Sequence, residues 1–104
     1  MRGVPWSDPE QAEFLVKRMQ ILTESSDHAV AFYQILSQQL SRAFDADLSL
    51  ARILQFFEAS DDHEFWLGLF SKNSDVLSAL QQLMGMSETI ANRIIADPET
   101  FSWI

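Results

Sequence analysis

The chain has 104 residues, 47% hydrophobic and 12% aromatic against 21% charged, which is material for one buried core and excludes an intrinsically disordered composition. Seven Lys and Arg against fifteen Asp and Glu give a formal net charge of -8, and the positive residues are scattered from Arg2 to Arg93, which excludes the clustered basic surface that a nucleic-acid partner requires. With no Cys, neither a disulfide framework nor a thiolate zinc site can form.

Only three Gly and three Pro punctuate the chain, and good helix formers fill most of the rest, so composition points to an all-α domain. The opening MRGVPWSDPE lacks the apolar run of a signal peptide, and no stretch approaches the roughly eighteen apolar residues of a membrane span. The expected location is the cytoplasm, with no membrane partner.

Ser7-Asp8-Pro9-Glu10 reads as a capping box, in which the Ser hydroxyl and the Glu carboxylate each satisfy an amide of the first turn. In the helix that follows, Ala12, Leu15, Met19 and Leu22 form an apolar stripe widened by Phe14 and Val16. The polar run from Thr23 to Asp27 is expected to turn the chain and cap the next helix. A second helix, reaching about Phe44, carries Ala29, Phe32, Ile35, Leu36, Leu40 and Ala43 on one side.

After Asp45-Ala46-Asp47 a third helix places Leu50, Ile53, Leu54 and Phe57 at i, i+3, i+4 and i+7. Ser60-Asp61-Asp62 caps a fourth with Phe65, Trp66, Leu69 and Phe70, and Asn73-Ser74-Asp75 opens a fifth with Val76, Leu77, Leu80, Leu83 and Met84 inside. Gly85 is placed for a left-handed C-terminal cap. Ser87 caps a sixth helix with Ile90, Ala91, Ile94 and Ile95 inward, and Asp97-Pro98-Glu99 starts a seventh element. No alternating strand pattern of useful length occurs. The expected architecture is an irregular array of about six or seven short, antiparallel-packed helices, forming residues 1–104 as a single helical domain or as the N-terminal helical part of a larger enzyme.

Candidate chemistry is sparse. Asp45 and Asp47 have the spacing of a Mg²⁺-binding carboxylate pair, but that chemistry needs a strand to aim both groups one way, and helical flanks make them an acidic helix start. Asp61-Asp62-His63-Glu64 cannot converge on one ion, because consecutive helical residues point in different directions. His28 and His63 lack a partner at i+3 or i+4 and read as solvated or capping residues. There is no G-x-S-x-G elbow for a nucleophile. No catalytic, cofactor-binding or metal-binding residue is assigned. Phe32, Phe56, Phe57, Phe65, Trp66 and Phe70 read as core or helix-interface residues, and the adjacent pairs at 56–57 and 65–66 are expected to reach a second packing surface, since neighbours cannot share one narrow stripe.

The segment from Leu83 to Glu99, in which Gly85, Ser87, Ile90, Ala91, Ile94, Ile95, Pro98 and Glu99 stand in order, resembles an element of the bacterial glutamine synthetase adenylyltransferase (adenylyl-removing) family. Thr89 stands where an aromatic residue is usual there and Asp97 where His or Asn is usual. Upstream, the stretch from Asp47 to Glu58 is similar to an Asp-x-Ala-Leu and Leu-x-x-Phe-Leu-Glu run of that family, so the resemblance covers about residues 45–104. It implies a parent enzyme that transfers AMP from ATP, with Mg²⁺, to a tyrosine of glutamine synthetase and removes it again under a nitrogen-signalling regulatory protein. The Gly-Lys-Leu-Gly-Gly and Asp-Ile-Asp motifs of its catalytic domains are absent here, so no catalytic residue carries over.

Two readings follow. In the first, the chain is a non-catalytic N-terminal helical fragment that packs on a downstream nucleotidyltransferase domain, with glutamine synthetase or the regulatory protein as further partners. In the second, it is a free-standing acidic helical module that binds a protein through Trp103, Ile104 and surplus aromatic residues. A small enzyme whose site is assembled only in space is the third and weaker reading.

Overall fold

The computed structural model describes residues 4–43 and 45–97, and these form six helices with no strand: α1 (Pro9–Thr23), α2 (Ala29–Ser41), α3 (Ala46–Ala59), α4 (His63–Lys72), α5 (Ser74–Met86) and α6 (Glu88–Ala96). The all-α expectation holds. The expected seventh element, with Trp103 and Ile104, lies outside the described residues.

Most helix starts are where short polar side chains can take an unpaired amide. The Asp45 carboxylate accepts from Leu48 N, Asp62 from Phe65 N, and the Ser87 hydroxyl from Thr89 N and Ile90 N. Several local expectations are corrected. The cap of α1 is Asp8, which accepts from Gln11 N, and not Ser7; Pro9 at the first helical position moves the start one residue along. Helix α2 begins after His28 with no side-chain cap, Ser26 Oγ instead accepting from His28 N in the preceding turn. It ends at Ser41, short of Phe44, with Arg42 N and Ala43 N bonded to carbonyls at the helix end. Gly85 is inside α5, which runs on to Met86, so Ser87 both closes α5 and opens α6.

Helix α3 is the hub, touching α1, α2, α5 and α6. Its buried residues are Ala46, Leu50, Ile53, Leu54, Phe56 and Phe57. At about 100° per residue these span an arc of about 160°, wide enough for both adjacent phenylalanines. Phe56 and Phe57 therefore serve one core, contrary to the expectation of a second surface. Phe32 of α2 meets Phe57 edge to face at 5.4 Å, and Trp66 and Phe70 of α4 complete the cluster, with Phe56–Trp66 at 5.1 Å and Phe57–Phe70 at 6.0 Å. The second pair does divide, Trp66 being fully buried and Phe65 50% exposed.

Helix α1 buries only Ala12, Leu15, Met19 and Thr23, an arc of about 80°. Phe14 and Ile21 lie on its opposite side, 54% and 67% exposed, so Phe14 does not widen the inner stripe. Polar contacts hold this helix to its neighbours. Arg18 forms an ion pair with Glu58 of α3, and the buried Thr23 hydroxyl donates to Met19 O and lies 2.6 Å from the hydroxyl of Tyr33 on α2.

Candidate functional site

The acidic residues that the sequence offers as metal ligands are occupied by backbone amides. Asp45 Oδ1 takes Leu48 N at 3.1 Å, while Asp47 reaches across to the chain entering α1, accepting from Ser7 N at 2.8 Å and Asp8 N at 2.9 Å. The two carboxylates thus diverge, one finishing its own helix and the other anchoring a segment forty residues away. Among the described residues no group of three or more His, Asp or Glu could hold a metal ion.

Asp62 caps α4 and His63 turns back, its Nε2 lying 2.5 Å from Phe57 O, so a protonated Nε2 donates to a carbonyl at the end of α3. His28 lies over Gly68 of α4, with Nε2 3.4 Å from Glu64 Oε1. Tyr33 has a pKa raised from 10.0, because burial disfavours the phenolate; the Thr23 hydroxyl, able to donate to that phenolate, partly offsets the shift. These are contacts between elements, not a catalytic constellation.

A groove of about 720 Å³ lies between α2, α3 and α5. Ile35, Gln38 and Gln39 line it from α2 and Arg42 from the cap that follows, Leu48, Ser49 and Arg52 from α3, and Ser74, Ser78, Gln81 and Gln82 from α5. Spacings of three and four residues bring each set to one helix face. Two cross-links mark its ends. Gln39 Nε2 donates to Ser74 O at 2.9 Å, and Arg52 Nη1 donates to Met84 O. Ser74 and Met84 are ten residues apart, so the groove runs about 15 Å along α5.

Two residues of its lining, Gln39 and Gln81, each keep one amide atom buried without a hydrogen-bond partner, Oε1 in Gln39 and Nε2 in Gln81. The sequence reading passes over both residues. The signal was available in the doublets Gln38-Gln39 and Gln81-Gln82, each of which puts an amide beside an apolar stripe.

A second surface feature is the outer side of α1. Phe14, Arg18 and Ile21 follow one another at i, i+4 and i+7, with the Arg18 guanidinium 5.9 Å from the centre of the Phe14 ring. Among the described residues no helix is long and apolar enough to cross a membrane. The chain matches no protein-family model, no curated protein and no solved structure.

Proposed function

We propose that the chain is a non-catalytic, cytoplasmic helical module that docks on a protein partner through the outer side of α1. The observation that carries this reading is the exposure of two large apolar residues on one helix face, Phe14 at 54% and Ile21 at 67%. Lone exposed apolar residues are ordinary, but two in register along a helix make a strip that a groove on another protein can cover. The net charge of -8 favours encounter with a partner that presents basic surface.

A photo-crosslinking residue at Gln20, beside the strip, tests this in cells. A discrete protein adduct is expected, and it should be lost in a Phe14→Asp, Ile21→Asp double variant whose circular dichroism is unchanged. An adduct that survives the double variant would remove α1 from the reading.

A second reading assigns the chain to the N-terminal helical part of a glutamine synthetase adenylyltransferase, its partner being the nucleotidyltransferase domain of that enzyme, or glutamine synthetase or the nitrogen-signalling regulator. What favours it is the α5–α6 join, where Ser87 caps α6 and Ala91 and Ile94 are buried, within the same residues that carry the resemblance. ATP and Mg²⁺ belong to that parent enzyme and not to this segment. The chain alone, incubated with glutamine synthetase, ATP and Mg²⁺, should transfer no AMP, and it should co-purify with the catalytic domain. Failure to co-purify counts against this second reading and leaves the first standing.

A further inference from the structure

Two exposed apolar residues mark the outer side of α1, and the charges around them restrict what can cover it. At about 100° per residue, Glu10, Phe14, Ile21 and Glu24 fall within about 80° of one another around the helix. Glu10 stands one turn before Phe14 and Glu24 one turn after Ile21, so the apolar pair has a carboxylate beyond each end. The cations between them are already held, Lys17 by Glu13 at 3.2 Å and Arg18 by Glu58 of α3. Among the described residues the carboxylates of Glu10 and Glu24 have no ion-pair partner. The last turn of α1 carries no basic residue, so the negative end of its dipole adds to the charge of Glu24.

Resting on the reading that α1 docks a protein, we propose that its occupant is a basic amphipathic helix, with two apolar side chains seven residues apart over Phe14 and Ile21 and a Lys or Arg one turn beyond each. Spacing selects a helix over an extended strand. Phe14 and Ile21 are about 10.5 Å apart along α1, which a second helix matches with residues seven apart on one face. Side chains on one face of a strand lie about 6.6 or 13 Å apart, so a strand that covers one of the two misses the other. Charge selects against a second copy of this chain. Each copy carries a net charge of -8, and antiparallel self-pairing that sets Phe14 against Ile21 also sets Lys17 against Arg18.

The test is an NMR titration of the ¹⁵N-labelled full chain with three synthetic peptides of about twenty residues, long enough for an alanine-and-glutamine helix. Each has two leucines seven apart. The first carries a lysine one turn beyond each leucine, the second carries glutamate at those places, and the third is the lysine peptide with a proline between the leucines. Saturable shifts of the Phe14, Ile21 and Glu24 amides are expected with the first. The glutamate peptide should bind at least about tenfold more weakly, at about threefold per exposed charge pair, and the proline peptide should not saturate. In a Glu10→Gln, Glu24→Gln double variant, changed only at exposed sites, the lysine and glutamate peptides should bind alike within about twofold.

No saturable shift with the lysine peptide would overturn the proposal, and the crosslink at Gln20 would then judge docking at α1 by itself. Equal affinity for the lysine and glutamate peptides would overturn the charge match, and equal affinity for the proline peptide the helical occupant; docking at α1 stands in both cases. Shifts by the lysine peptide that persist in the Phe14→Asp, Ile21→Asp variant would remove α1 itself. A concentration-dependent dimer lost in that same variant would assign the strip to a second copy and overturn the proposal.

Discussion

Helices α1 and α3 are of nearly equal length, fifteen and fourteen residues, and both begin at an aspartate cap, yet one is peripheral and the other central. The difference lies in the width of the apolar arc, about 80° in α1 and about 160° in α3. A narrow arc can be covered by one layer of neighbours, and α1 rests on α3 and α4 with its far side open. A wide arc needs helices on several sides, which α2, α5 and α6 supply together with α1. What α1 lacks in apolar contact is made up by polar ties, from Asp47 at its start, Glu58 at its middle and Tyr33 at its end.

The contrast can be broken at its strongest point first. Phe57→Ala should destabilise by about 3–5 kcal/mol, because the ring is wholly buried against Phe32, Phe56 and Phe70 and the cavity left behind cannot close. Phe14→Ala on α1 should change stability by no more than about 0.5 kcal/mol. Urea denaturation of both variants measures the gap, and similar values would mean that α1 is as much a part of the core as α3.

The polar ties of α1 come next. Asp47→Ala removes the acceptor for Ser7 N and Asp8 N and should cost about 1–2 kcal/mol, at the lower end of charged hydrogen bonds because the site is open to solvent. Hydrogen exchange should speed up at those two amides before any amide of α3. Uniform acceleration throughout the chain would show that the tie is not local.

Tyr33→Phe removes the bond to Thr23 and should cost about 1 kcal/mol. It also carries a pH signature. The folded-state pKa of Tyr33 is raised, so the native state holds its proton more tightly; its contribution to stability is complete below pH 10 and falls as pH rises through the folded value. The gap between wild type and Tyr33→Phe should therefore narrow above pH 10. A gap that stays constant with pH would show that burial at Tyr33 is not felt by the phenol.

The smallest effect expected is at Gly68 in α4. Alanine there gains up to about 1 kcal/mol of helix propensity, while its Cβ would meet His28 Nε2 at 3.3 Å. The side chain of His28 is 34% exposed and can give way, so Gly68→Ala should stabilise by about 0.5 kcal/mol in thermal unfolding. Loss of stability would mean that the His28 ring is a fixed part of the α2–α4 contact.

Where a feature depends on neighbours in the chain, it was legible beforehand. Asp45, Asp62 and Ser87 cap the helices they precede, and Leu50, Ile53, Leu54 and Phe57 face inward as their spacing requires. Where local signals compete, neighbours in the chain do not decide the outcome. Ser7 and Asp8 both offer a cap, and Gly85 is as acceptable inside a helix as at its end when Ser87 follows to close it. The groove went unread for another reason: glutamine is common on helix surfaces, and nothing along the chain says that Gln39 and Gln81 face the same cavity.

The sequence by itself determined that this protein is helical, where its breaks fall and which residues seed its core, because capping and apolar periodicity act within one or two turns. Tertiary structure alone decided that Phe56 and Phe57 share one core, that Phe14 faces outward, that Asp47 holds the entry to α1, and that Gln39 and Gln81 line one groove. Each of these depends on which helix lies opposite, and that is set by how several apolar arcs of unequal width are covered at once.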